Sequence, residues 1–273
     1  MNKSEKINIG IFGFGNMGRS IFSVLTKNKK ADSQKIFICS LDVRRVSGAI
    51  CVASVGELLN SCDIVFLCIK PQNFYNLSPK DSKIIRKKSV IIISIMAGVT
   101  IANIKRILPS KKIIRTMPNL ALQAQGAVTG WHTIKNNFSK KELRQVTNIL
   151  NSFGLTIFTK NEDMLNAITA ISGSGPAYVF LFINALAKAA ESLGFSSKEA
   201  RQIAMQTVKG SFDYAQQADD SSLDILIKKV TSKKGTTEAA LKKLNVSNFY
   251  RKWQQVARKA YERAKELSNY DIK

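Results

Sequence analysis

Seven consecutive residues from Ala177 to Ile183, AYVFLFI, lie inside a stretch of helical composition, TAISGSGPAYVFLFINALAKAAESLG, that runs from Thr169 to Gly194. A helix apolar on every side has to be covered on every side. Ser174 stands where a cap belongs, and Pro176 where a first helical residue tolerates a missing N–H. Such a helix excludes an ordinary one-sided surface helix and predicts a helical domain that pairs with another subunit. It is not expected to span a bilayer, because Asn184 and Lys188 interrupt it well short of the roughly 20 apolar residues a span requires.

The rest of the chain reads in two parts. Short apolar runs recur at Ile7–Phe12, Lys35–Ser40, Asp63–Ile69, Val90–Ile95 and Lys112–Thr116, separated by helical or loop stretches. Continuous apolar strands joined by crossovers predict a parallel sheet covered on both faces. From about Lys160 the pattern is helical. Ser196 with Glu199 makes a capping box. The last helix places Phe249, Trp253, Val256, Ala257, Ala260, Tyr261, Ala264 and Leu267 on one stripe, opposite a charged face. The fold class expected is α/β: a doubly wound parallel-sheet domain over residues 1–160, then an all-α domain over 161–273 that pairs with another subunit.

The formal net charge is +23, and residues 1–160 hold 25 Lys and Arg against 7 Asp and Glu. The basic residues are scattered rather than gathered on one helix, and no nucleic-acid motif accompanies them. The excess is therefore read as surface charge that favours an anionic cofactor and substrate, not nucleic acid. The four cysteines (Cys39, Cys51, Cys62, Cys68) form no CxxC pair, so reduced thiols and no metal site are expected. MNKSEK lacks the pattern of a secretory leader, and a cytoplasmic location is expected.

The first chemical motif is GFGNMG, which follows a strand and opens an amphipathic run. In a G-x-G-x-x-G turn the first glycine (Gly13) permits the tight turn, the second (Gly15) lets the backbone approach a pyrophosphate, and the third (Gly18) lets helix pack on strand. The second strand ends Cys39-Ser40, with Asp42 and then Arg44-Arg45. A hydroxyl followed by two arginines suits the 2′-phosphate of NADP, and Asp42 leaves NAD open. DIVFLCIKPQ ends a strand at Lys70-Pro71, so Cys68, Ile69, Lys70 and Pro71 fall at the carboxyl end of the sheet. SIMAGV ends the next strand with Ala97 and Gly98, small enough to leave space for a flat nicotinamide. The one histidine, His132, is read as a loop or surface residue after a glycine turn, and no Ser/His/Asp elbow is present.

GSGPAY, the downstream GTT of VTSKKGTTEAAL and the run RTMPNLALQAQGA together resemble the signatures of the pyrroline-5-carboxylate reductases. The resemblance spans nearly the whole chain. It implies reduction of 1-pyrroline-5-carboxylate to L-proline with NADP or NAD, by a Rossmann domain (1–160) followed by a helical dimerisation and substrate domain (161–273), in a homodimer that can assemble into a decamer. It places the cofactor against Phe12, Gly13, Phe14, Gly15, Asn16, Met17, Ser40, the Cys68–Pro71 turn, Ala97 and Gly98. It places the substrate carboxylate on the helix start at Ser232, Gly235, Thr236 and Thr237, with the Thr237 hydroxyl near the imine nitrogen. Read without it, Thr236 is a plain helix cap. Asp219-Asp220 can cap a helix or reach a partner's pocket. Two departures stand out. Lys233-Lys234 replaces the family's Pro-Gly, which either strains the turn, if positive φ is needed there, or strengthens carboxylate binding through two ammonium groups; both readings stay open. Leu120-Ala121 replaces Thr-Pro, which should loosen that loop. Two alternatives stay open: a β-hydroxyacid-dehydrogenase-like or imine reductase with another substrate, and a non-catalytic descendant of the fold.

Overall fold

The computed structural model describes residues 7–27, 34–77, 89–108, 110–218 and 222–268. Eight strands form one sheet: β1 (Ile7–Phe12), β2 (Gln34–Cys39), β3 (Ile50–Cys51), β4 (Ile64–Leu67), β5 (Ile91–Ser94), β6 (Ile113–Met117), β7 (Ala127–Thr133) and β8 (Gly154–Phe158). Their order is β3-β2-β1-β4-β5-β6-β7-β8. The first six are parallel and follow the strand order of a dinucleotide-binding sheet. β7 runs antiparallel to β6, and β8 parallel to β7.

The continuous apolar strands are explained by burial on both faces. In β4, Ile64 and Phe66 enter one core, and Val65 and Leu67 the other. In β5, Ile91 and Ile93 face the first core while Ile92 faces the second. One core is covered by α1 (Asn16–Lys27) and α5 (Lys140–Asn151), through Ile21, Val24, Val146 and Leu150. The other is covered by α2 (Val55–Ser61), α3 (Pro71–Phe74) and α4 (Ile101–Ile107), through Leu58, Leu59, Phe74 and Ile104.

β7 corrects the reading of His132. Gly130 and His132 lie inside a strand, paired with Met117 and Arg115. A Cβ on Gly130 would stand 2.9 Å from Ile168, so the glycine admits a helix rather than making a turn. His132 is half-buried and stacks on Phe158 at 5.8 Å. Its Nδ1 lies 2.9 Å from the Thr159 carbonyl, which can only accept, so Nδ1 carries the proton. On the same strand the Thr129 hydroxyl is buried with no hydrogen-bond partner. Thr129→Val is expected to raise stability by about 1 kcal/mol by removing that desolvated hydroxyl. Denaturant midpoints of the two proteins check this, and a lower midpoint for the valine variant refutes it.

The chain divides into two compact units, one of residues up to Ser174 together with those from Ala260 on, the other Gly175–Lys259. The second unit holds α7 (Gly175–Ser192), α8 (Ser197–Gln217), α9 (Leu223–Lys229), α10 (Thr236–Leu244) and most of α11 (Val246–Ser268). The capping box forms as expected, with Ser196 accepting from the Glu199 N–H. The last helix keeps most of its stripe: Ala264 is buried and Phe249, Trp253, Ala257, Ala260 and Tyr261 are half-buried, but Val256 and Leu267 are exposed, as are Arg251, Lys252, Arg258, Lys259 and Lys265 on the charged face.

The apolar helix differs from expectation in two ways. Ser174 does not cap it. The helix is already running from α6 (Met164–Ile168), and a π-helical turn at Thr169–Gly173 carries it into α7. The Ser174 N–H and hydroxyl both point back to the Thr169 carbonyl, at 2.9 and 3.3 Å. Nor do Asn184 and Lys188 shorten it: Met164–Ser192 is a single stretch long and apolar enough, by length and composition, to cross a membrane. Within one chain it is largely uncovered. Phe180 is 59% exposed, Leu181 65% and Phe182 50%. Among the described residues of this unit, only Ala190, Ala200, Ala204 and Leu226 are buried apolar residues.

Candidate active site

The parallel strands bring the predicted cofactor residues to one edge of the sheet. Gly13–Met17 follow β1, Ser40 follows β2, Cys68–Pro71 follow β4, and Ala97-Gly98 follow β5. These four strands are neighbours in the order β2-β1-β4-β5, and all run the same way. Their carboxyl ends therefore form one rim, which is where open α/β sheets take ligands.

Each glycine of the turn meets the requirement its position sets. Gly13 has φ +93°, and a Cβ on it would stand 2.7 Å from Ile69 and 2.8 Å from the Cys68 carbonyl. The turn thus sits directly against the Cys68–Pro71 segment. Gly18 packs so closely that a Cβ would be 2.2 Å from the Gly13 carbonyl. Gly15 has open space within 4 Å, leaving its backbone approachable. Asn16 begins α1 and is exposed, and the first N–H groups of a helix have no partner within it. Phe14 is buried against Phe22 at 5.6 Å, with Arg19 over its ring, so its side chain belongs to the core and only its backbone is left to the turn.

Around this turn, Phe12 and Met17 are half-buried, and Ser40 is half-buried while Asp42, Arg44 and Arg45 are exposed. Pro71 opens α3, with Lys70 as its exposed cap residue. Cys68 donates its N–H to Phe12 O at 2.7 Å. Burial pushes the Cys68 thiol well above its ordinary value, so it stays protonated and offers neither charge nor nucleophile. Gly98 needs its missing side chain for another reason than the one anticipated. It has φ +74°, and a Cβ would be 2.6 Å from the Leu267 carbonyl at the end of α11. The space it leaves is filled by that helix end; Ala97, half-buried, keeps the place nearest the rim.

The loop expected to loosen on losing its proline is instead tied down. Leu120–Ala124 forms a 3-10 turn capped by Asn119, whose Oδ1 accepts from Ala121 N–H at 3.2 Å. Leu122 is fully buried, and Gln123 donates to Ser20 on α1 at 2.8 Å. Asn119 has a second task. Pro176 has no N–H to offer the Ser172 carbonyl four residues before it. The Asn119 amide donates to that carbonyl at 3.2 Å and to the Ser172 hydroxyl at 3.1 Å. The Met-Pro-Asn run is thereby joined to the π-helical turn, a link that lay outside any local pattern.

The predicted carboxylate receptor belongs to the second unit. α10 begins at Thr236, and Gly235, not Thr236, is its cap residue. Thr236 is a helical residue because the chain turns two positions earlier, at Lys234, which has φ +60°. The positive φ once suited to glycine is thus retained by a lysine, at a cost of order 1 kcal/mol. The Lys234 N–H is held by Glu238 Oε2 at 2.5 Å, and Glu238 also pairs with Lys242 at 3.1 Å. Gly235 donates to Ser232 O at 3.0 Å, and a Cβ on it would be 2.3 Å from Ser232 Oγ. Thr237 is half-buried one residue into the helix, whose first N–H groups have no partner within it. Lys234→Gly is expected to raise stability by about 1 kcal/mol, read as a higher urea midpoint. An unchanged or lower midpoint refutes the strain. Asp219-Asp220 lie outside the described residues.

Among the described residues no cluster of His, Cys, Asp and Glu could hold a metal ion. The residues that sequence reasoning passed over are Arg115, Glu162 and Ser268, which form one network under the rim. The one signal in the sequence that could have found it is an arginine inside the apolar run Lys112–Thr116.

Comparison with known proteins agrees with this geometry. A family model described as pyrroline-5-carboxylate reductase dimerisation matches residues 162–267, and one described as NADP oxidoreductase, coenzyme F420-dependent, matches 8–98. A pyrroline-5-carboxylate reductase of Aquifex aeolicus is 34% identical over 265 residues, covering 95% of this chain and 97% of that one. One from Staphylococcus aureus is 30% identical over 269 residues, with 95% and 97% covered. Among solved structures, a pyrroline-5-carboxylate reductase from Coxiella burnetii superposes with a TM-score of 0.86 at 32% identity, covering 97% of this chain and all of that one. The Plasmodium falciparum enzyme, solved with NADP bound, gives 0.84 at 26% identity, covering 98% and 100%. With a Rossmann sheet, a glycine turn that meets each positional demand and a helical C-terminal part matched along its length, the chain belongs to the pyrroline-5-carboxylate reductase family.

Proposed function

We propose that this chain is a cytoplasmic enzyme that reduces 1-pyrroline-5-carboxylate to L-proline with NADPH, the last step of proline biosynthesis. Residues 1–160 hold the cofactor and 161–273 the dimer contact and the substrate. The observation that carries the reading is the rim at the ends of β2, β1, β4 and β5, where Gly13, Gly15 and Gly18 each meet a distinct steric demand. The residues fit NADPH on that ground: the backbone at Gly15 is open, and the start of α1 offers N–H groups to a pyrophosphate.

When bound, NADPH supplies a hydride to the imine carbon. The chain's residues do the rest. Gly13–Met17 grip the pyrophosphate, and Cys68–Pro71 with Ala97-Gly98 bound the nicotinamide side of the site. The N–H groups around Gly235–Thr237 hold the ring carboxylate, Ser232 borders it, and the Thr237 hydroxyl stands by the nitrogen that takes the proton. Holding the ring and the cofactor in register accounts for much of the rate. Lys233 and Lys234 add positive charge beside the carboxylate. The uncovered α7 is an interface with a second subunit rather than a membrane span, a reading supported by the dimerisation-domain match over residues 162–267. Five such dimers make the decamer.

NADPH oxidation with 1-pyrroline-5-carboxylate tests the reading, run beside Thr237→Ala and a panel of hydroxy and keto acids. Turnover on hydroxy acids alone favours a neighbouring dehydrogenase class, and no turnover at all favours a non-catalytic descendant. The exposed Arg44-Arg45 pair after β2 is assigned to the 2′-phosphate. Replacing both by alanine is expected to lower the preference for NADPH over NADH about tenfold or more, the scale of a lost charge-assisted hydrogen bond. Equal KM ratios for the two cofactors before and after substitution refute that assignment.

A further inference from the structure

The cofactor rim is held from beneath by a buried arginine. Arg115 lies in the middle of β6, next to β5, and is 4% exposed. Its Nη1 donates to Glu162 Oε1 at 3.0 Å, and its Nη2 to Ser268 Oγ at 3.4 Å. Glu162 Oε1 also accepts the Ile101 N–H at 2.8 Å, the first residue of α4. Ser268, the last residue of α11, lies 2.9 Å from Asn166 Oδ1, and the carbonyl of the preceding Leu267 is the atom that faces Gly98. One guanidinium thus fixes both things that bear on the segment 98–101: the carboxylate at the start of α4 and the helix end over Gly98. Both lie within the same compact unit as the sheet.

The geometry points to Arg115 as a positioning residue for the nicotinamide end of the cofactor site, acting through Glu162 and the end of α11 on the Ala97-Gly98 turn. This rests on the cofactor reading given above. Arginine suits the task because its planar fork reaches two acceptors on different segments at once, which a lysine ammonium on one flexible stem does not. Arg115 touches neither cofactor nor substrate in this scheme. Its effect should therefore be confined to the part of the cofactor that meets the turn.

The test is a pair of titrations on the full chain. NADPH is followed by its nicotinamide fluorescence, and 2′,5′-ADP, which has the phosphates and no nicotinamide, by competition or calorimetry. For Arg115→Lys the expected result is NADPH affinity weakened about tenfold, with 2′,5′-ADP affinity kept within twofold. Ser268→Ala, a milder change, should shift NADPH in the same direction by a smaller factor and spare 2′,5′-ADP. NADPH affinity equal to wild type in a folded Arg115→Lys protein overturns the proposal, as does equal loss of both ligands. Should Arg115→Lys not fold, Ser268→Ala carries the comparison, and unchanged NADPH affinity there overturns it. A wild-type chain that binds neither ligand overturns the cofactor reading itself, and the positioning role with it.

Discussion

Gly13→Ala is expected to cost about 3 kcal/mol of stability, whereas Gly15→Ala, two residues on, should fold like wild type and fail at binding. The difference follows from what each added methyl would meet. At Gly13 it would face Ile69 at 2.7 Å and the Cys68 carbonyl at 2.8 Å, on a backbone at φ +93°. Positive φ costs an alanine roughly 1–2 kcal/mol, and overpacking adds roughly 1–3 kcal/mol. At Gly15 nothing lies within 4 Å, so the methyl is tolerated in the free protein at about ±0.5 kcal/mol. In the proposed site the same methyl stands where the pyrophosphate approaches the backbone. NADPH affinity should then fall at least about tenfold, the equivalent of one charge-assisted hydrogen bond. Thermal melts separate the two variants, and NADPH titration completes the comparison. A Gly15→Ala protein that binds NADPH as tightly as wild type would remove the glycine turn from the cofactor site.

Leu181→Glu is expected to break the dimer and unfold the helical unit. Leu181 is 65% exposed within one chain, so a lone subunit would accept the change at about ±0.5 kcal/mol. Its neighbours Phe180 and Phe182 are similarly uncovered, and the unit from Gly175 to Lys259 has a handful of buried alanines and Leu226 for a core. So little buried apolar surface does not offset the entropy of ordering the unit's residues. The missing burial has to come from a second copy, as the match to the family's dimerisation domain over 162–267 supports. A glutamate carboxylate buried in that contact without a partner costs several kcal/mol. Sedimentation should show a monomer, and far-UV circular dichroism should show lost helix. A variant that stays dimeric and helical would mean that this face of α7 is not the one covered.

β1, β2, β4, β5 and β6 were legible because each is buried on both faces, which forces the unbroken apolar runs seen at Ile9–Ile11, Val65–Leu67 and Ile91–Ile93. β7 was not, since Thr129, Gly130 and His132 break the run and its partner strand runs the other way. The capping box at Ser196 and Glu199 was read correctly because both groups lie within one turn. The start of the apolar helix was misread for the same local reason. Ser174 and Pro176 have the chemistry of a helix start, and nothing nearby says that Asn119, over fifty positions earlier, donates to the Ser172 carbonyl that Pro176 leaves without its N–H.

From sequence alone came the doubly wound sheet, the glycine turn and its helix, and the basic tail of β2. Each is a requirement that a residue places on its own backbone or its immediate neighbours. Tertiary structure alone decided that Gly98 yields its space to Leu267, that Gly130 admits Ile168, that α6 runs unbroken into α7, and that Arg115 ties Glu162 to Ser268. The physical reason is that volume and hydrogen-bond partners at these points are supplied by segments distant along the chain, and spacing within one segment carries no record of them.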